Sequence, residues 1–160
     1  MSITTFPIVA LPAVSGNSNA NPNVLNAVLL NASGDKCAFI IQAPKAGTLQ
    51  FFEWRTGTVN NNPDNGLRMS FQTVDPATGF PDGVQDQFFD FTGTFTSATW
   101  QIPSGPMTDD GTGGGVKRTV ARGEIFACVI EFVTFVAADS INIAVLDAPA
   151  REQAASNDWY

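Results

Sequence analysis

An all-β protein is what this sequence predicts: an antiparallel β-sandwich, jelly-roll-like, of about eight or nine strands with extended terminal arms. Three observations carry that expectation. Apolar runs of strand length recur between clusters of turn formers, two segments alternate strictly between apolar and polar residues, and the core shows no convincing helical period.

Residues 1–23 contain Pro7, Pro12 and the stretch PAVSGNSNANPN, so they read as an extended N-terminal arm. Within it TTFPIVALP is apolar enough to need a surface, either on its own domain or on a neighbouring subunit. The β domain is expected over 24–146. VLNAVLL and KCAFIIQA are strand-length runs separated by the turn formers NASGD. TLQFFEWRT changes apolar phase between Phe51 and Phe52, which implies a bulge or a strand covered on both faces. TGTVNNNPDNG is polar enough to read as a long surface loop. In LRMSFQT, Leu67, Met69 and Phe71 alternate with Arg68, Ser70 and Gln72, the pattern of a strand with one wet face. QFFDFTGTF places Phe89, Phe91, Gly93 and Phe95 on one face and Asp90 on the other, toward solvent. ATWQI is a brief strand, PSGPMTDDGTGGG a flexible loop and VKRTV a short strand. EIFACVIEFVTF is apolar on both faces and suits the centre of a sheet, and SINIAVL closes the core. Residues 147–160 form a C-terminal tail with short helical turns expected over AREQAAS.

Composition narrows the functions available. A chain of 160 residues most simply forms one domain with one core. Its 44% hydrophobic content and 13 phenylalanines oppose disorder, while charged residues at 14% leave surface polarity to Asn, Gln, Thr, Ser and Gly. A net charge of −7 repels phosphate backbones, so no nucleic-acid partner is expected. The absence of histidine removes the Ser-His-Asp triad, the Cys-His dyad, a histidine base and the usual zinc and iron sites. Cys37 and Cys128 lie in apolar runs, where buried free thiols are expected ahead of a disulfide. No signal peptide or apolar span is readable, so no membrane partner is expected.

The segment SFQTVDPATGFPDGVQDQFFDF, residues 70–91, poses the sharpest functional question, since it holds four aspartates within a strand-like frame. Asp75, Asp82 and Asp86, with Asp90, are candidate oxygen ligands for a metal such as Ca2+, but their spacing matches no EF-hand. Turn chemistry explains DPATGFPDG better: Pro76 presets φ, Gly79 and Gly83 accept positive φ, and the aspartates satisfy backbone amides. No cofactor is therefore expected, and nothing sets two carboxylates across a cleft for hydrolysis. DDGTGGGVKRT lacks the Gly-Lys-Ser/Thr of a phosphate loop and leads into a strand, so it reads as a hairpin loop. Of Trp54, Trp100 and Trp159, Trp100 lies near a loop and is the best candidate for a carbohydrate-stacking platform, helped by loops around 57–66 and 104–115; the alternative is that all three fill core or subunit contacts.

GLRMSFQTVDPATGFPDGVQDQF, followed by TDDGTGGGVKRTVARGEIFACVIEFVTFVAADSINIAVL, resembles β-sandwich domains of tailed-bacteriophage virion proteins over roughly residues 36–146. Such domains occur in tail fibres, head fibres and capsid decoration proteins. The resemblance implies a non-enzymatic virion protein, located in the virion, forming a homo-oligomer such as a trimer and contacting other virion proteins through its arms. It carries no functional residues with it. A carbohydrate-binding module or adhesin domain for host surface glycans is the alternative, from a different class.

Overall fold

The computed structural model of the chain describes residues 25–49, 52–61, 63, 66–101, 107–109, 115–134 and 136–146. The expected arm over 1–23 and tail over 147–160, with its helical turns, lie outside the described residues.

Alternation of short polar and large apolar side chains favours extended backbone, and the described residues contain ten strands and no helix. They are β1 (Leu25–Leu30), β2 (Lys36–Gln42), β3 (Gly47–Thr48), β4 (Trp54–Asn60), β5 (Leu67–Val74), β6 (Pro81–Asp90), β7 (Trp100–Gln101), β8 (Thr119–Val120), β9 (Ile125–Phe132) and β10 (Ser140–Leu146). One sheet runs β1-β10-β4-β7, a second β2-β9-β5-β6, and β3 pairs β8 as a separate ribbon. All of these pairings are antiparallel. The order follows a rule: β1 pairs β10, β2 pairs β9, β3 pairs β8, β4 pairs β7 and β5 pairs β6. The chain is thus one long hairpin folded about the β5–β6 turn, and two further pairings, β10 with β4 and β9 with β5, gather it into sheets.

Burial and pairing bear out the central place expected for EIFACVIEFVTF over β9, between β2 and β5. Along β9, Phe126, Cys128, Ile130 and Phe132 join the hydrophobic core, while Ala127 and Val129 on the opposite face are buried too. The core cluster draws Leu30, Trp54, Ile141 and Ile143 from the first sheet and Phe39, Ile41, Leu67, Met69 and Phe71 from the second. Each large side chain fully buried there contributes about 1.5–3 kcal/mol. Rings meet edge to face, as Phe71 does with Phe126 at 5.9 Å and Trp54 with Phe91 at 5.7 Å, the geometry their quadrupoles favour.

Four details differ from the sequence expectation. Residues 56–60 are strand rather than loop: β-branched Thr56 and Val59 extend β4, and buried Thr56 directs its hydroxyl to the Thr96 carbonyl at 2.7 Å. A bulge that the sequence did not announce lies within β4, at the register shift against β10, while the phase change expected between Phe51 and Phe52 involves Phe51, which lies outside the described residues. Ser70 and Gln72 are buried rather than wet, because β5 is central: Ser70 stands between Phe88 on β6 and Val129 on β9. Gln72 Nε2 donates to Ser70 Oγ at 2.8 Å, so the covered pair satisfies part of its own polarity. Finally, the loop after β7 is anchored, since Met107 is fully buried and Phe88 N donates to the Thr108 carbonyl at 3.0 Å.

Gly66 shows how tightly the β4–β5 connection sits on the core. A Cβ there would lie 2.6 Å from the Thr134 carbonyl oxygen and 2.9 Å from the Phe132 ring. The Gly66 carbonyl also accepts from Val133 N at 2.8 Å, which holds the segment in place. Gly66→Ala is expected to destabilise the domain by about 1–3 kcal/mol, read as a lowered urea midpoint at unchanged m-value. Gly79→Ala is also unfavourable, but through its positive φ of 73° rather than through a clash.

Candidate functional site

The aspartates of residues 70–91 are distributed along a hairpin. Its turn occupies residues 75–80, and Pro81, Asp82 and Gly83 already belong to β6, where the register against β5 shifts. PDG is therefore a bulged strand start rather than the turn itself. Gly79 and Gly83 take the positive φ expected of them, 73° and 85°. Asp75 Oδ1 accepts from Ala77 N at 2.8 Å and its Oδ2 from the Thr78 hydroxyl at 3.2 Å, an Asx-turn that closes the hairpin.

The other three carboxylates also have protein partners. Asp82 accepts from Val84 N at 2.9 Å and from the Thr73 hydroxyl. These bonds, the Thr73 hydroxyl foremost, hold its carboxyl below the usual aspartate range. Asp86 pairs with the Arg118 guanidinium. Asp90 receives both Arg68 Nε at 2.6 Å and Arg68 Nη2 at 2.8 Å, a forked pair, while the same guanidinium lies 4.2 Å over the Phe88 ring. Among the described residues no three of His, Cys, Asp and Glu gather where a metal ion could be held. The candidate calcium ligands Asp75, Asp82 and Asp86 are instead each engaged by a neighbour.

Arg118, to which the sequence reading assigned no role, joins three segments. Its side chain is 10% exposed and bridges Asp86 on β6 to Glu124 before β9, with 2.8 Å to the latter. The Ala121 amide and then Arg118 hold the Glu124 carboxyl below its ordinary range. Nothing local in GGGVKRT signals this contact, which forms between residues 32 apart. Lys117 leads into β8, a strand, so the glycine-rich stretch has no helix N-terminus behind it with which to hold phosphate.

Trp100 has a different setting. It is 64% exposed on β7, directly opposite Arg55 of β4, whereas Trp54 is 2% exposed within the core and Trp159 lies outside the described residues. A threonine network fixes the strap that carries it. Thr56 N donates to the Thr99 carbonyl at 2.9 Å, Thr99 N donates to Thr56 Oγ1 at 3.0 Å, and Ala98 N donates to the Gly57 carbonyl at 2.9 Å. Ala98 itself has φ 58°, a left-handed value that a non-glycine residue adopts only when its surroundings impose it. The structure therefore presents the one tryptophan singled out from the sequence as an open indole on a braced strand, without convergence of the hairpin aspartates on it.

Cys37 and Cys128 are free and buried on adjacent strands β2 and β9, as expected. Burial pushes the Cys37 thiol up to about 12 from 9.0 and the Cys128 thiol well above 9.0. Neither is poised as a nucleophile, because the thiolate form is the one disfavoured. No protein-family model, curated protein or solved structure matches the chain. The likeness to tailed-phage domains thus rests on the quoted residues alone.

The thiols make alkaline stability testable. Between pH 9.0 and about 12 folded Cys37 keeps a proton that the unfolded chain has lost, so its contribution to stability is complete below that window and disappears as pH rises through it. Urea midpoints are expected to fall from pH 9 upward, with a shallower fall in Cys37→Ala; equal slopes in the two proteins would exclude the thiol as the cause.

Proposed function

We propose that the chain is a non-enzymatic virion structural protein, a capsid decoration, head-fibre or tail-fibre component, that assembles with copies of itself. The observation that carries this is the nested pairing of the strands. A hairpin of five strand pairs, rolled so that β10 meets β4 and β9 meets β5, corresponds to a jelly-roll sandwich with sheets β1-β10-β4-β7 and β2-β9-β5-β6. That frame recurs in viral capsid and lectin domains. The absence of histidine and the occupied hairpin carboxylates favour packing over chemistry as its use. Attachment through the segments 1–23 and 147–160, to a symmetric partner set such as a trimer and to other virion proteins, completes the proposal.

Deleting residues 1–20 tests it. The truncated chain is expected to keep its β-sheet circular dichroism and to elute as a smaller species than the full chain on sizing chromatography. An unchanged oligomer would show that the arm is not what joins the copies.

A second reading, recognition of host surface glycans, is favoured by one observation: the 64% exposure of Trp100 on the braced β7 strap. An open indole of this kind can stack on the apolar face of a pyranose ring. Binding on a glycan array is expected, with the signal lost in Trp100→Ala while the melting temperature stays within a few degrees of the parent, as is typical for surface substitutions.

A further inference from the structure

Arg55, like Arg122, enters no ion pair among the described residues. Lys36 meets Glu131 at 3.1 Å, Arg68 meets Asp90, and Arg118 meets Asp86 and Glu124. Glu53, two residues earlier along the chain, makes no ion pair with it. Among the described residues Arg55 donates one hydrogen bond, from Nη2 to the Ala98 carbonyl at 3.3 Å, which steadies the guanidinium and leaves its other N–H donors without a described partner.

Its position gives this meaning. Arg55 and Trp100 are directly opposed in the β4–β7 register, so their side chains leave the same face of the sheet about 5 Å apart at Cβ. Trp54 and Thr56, on either side of Arg55, point into the core, so Arg55 and Trp100 share the outer face. Gly57, the next residue along that face, has no side chain to overhang the pair, and Ala144 of β10 stands one step along the register from Ile143 opposite Thr56. The result is a shallow platform with an open indole, a neighbouring guanidinium and a low floor. Its backbone is already locked by the Thr56, Thr96 and Thr99 bonds, so little ordering would be required on binding.

We infer that this face binds a saccharide bearing a carboxylate, the indole of Trp100 stacking on the sugar ring and the guanidinium of Arg55 receiving the acid group. The inference rests on the glycan reading of Trp100 and adds the class of sugar. A guanidinium fork matches a carboxylate in geometry and charge, and the chain's overall net charge of −7 discourages anions from binding at random. The preference for an acidic sugar is therefore local to Arg55.

Titration calorimetry of the full chain against an oligogalacturonate and against sialyllactose, each compared with its own methyl ester, tests this. At least one free acid is expected to bind about tenfold more tightly than its ester, since a charge-assisted hydrogen bond is lost on esterification. Arg55→Gln should bring the acid down to the affinity of the ester, and Trp100→Ala should abolish binding of both. If acid and ester bind equally, or if the preference survives Arg55→Gln, the acidic-sugar inference is overturned while the Trp100 platform stands. If neither acid nor ester binds, the platform reading falls and the inference with it. A circular dichroism spectrum of Arg55→Gln matching the parent ensures that lost binding is not lost folding.

Discussion

The position of β9 between β2 and β5 is the constraint on which the rest of this structure depends. Both of its ladders run without a shift, from Lys36↔Glu131 to Gln42↔Ile125 on one side and from Leu67↔Phe132 to Thr73↔Phe126 on the other. A slip of one residue in either would turn Phe126, Cys128, Ile130 and Phe132 out of the core, so burial enforces the register. Once β9 is set, the nesting of the chain places its counterparts. The β5–β6 hairpin must lie on one side of it and β2 on the other, and the β1–β10 pair continues the same hairpin outward. Shifts in register occur instead in β6 against β5 and in β10 against β4, farther from that centre.

How much of this was legible depended on whether each residue's environment was local. The alternation of Leu67, Met69 and Phe71 and the doubly apolar run 125–132 announced β5 and β9, because period-two burial leaves its mark residue by residue. Gly79 and Gly83 announced positive φ for the same reason. Thr56 did not announce burial. Its hydroxyl is satisfied by carbonyls of residues 96 and 99, some 40 positions away, and only that pairing makes a buried threonine inexpensive. Ser70 and Gln72 look solvent-facing until β6 and β9 flank them, and Met107 looks like loop until Thr108 meets Phe88. The nested order itself has no signature in the sequence, since any of several strand pairings would satisfy the same alternation.

The candidate sites divide along the same line. The aspartates of residues 70–91 drew notice by number, yet each is spent locally or on a cation: Asp75 on its own turn, Asp82 on Thr73 and Val84, Asp86 on Arg118, Asp90 on Arg68. Arg118 drew none, although it ties β6 to the start of β9 from a largely buried position. Counting residue types favours clusters in sequence; the geometry favours partners in space. Trp100 was legible because its loop-side placement is a local property, whereas the face it shares with Arg55 required the β4–β7 register.

A sheet frame of this kind constrains its inner faces far more than its outer ones, and that separates stability from function here. Substituting Phe71 or Ile130 would disturb the core directly, while the outer face at Arg55 and Trp100 contributes little burial and is free to serve a ligand. What such a face must supply is rigidity, because an exposed side chain on a loose strand loses its ordering entropy on every encounter. The short β7 would be a weak platform by itself. It is held by reciprocal bonds between Thr56 and Thr99, by Ala98 against Gly57 and by Ser97 Oγ accepting from Val59 N at 3.0 Å, all of them reaching β4 at the heart of the first sheet. A buried threonine in the interior face of β4 thus stabilises the orientation of an indole on the exterior face, which links the packing of the core to whatever Trp100 contacts.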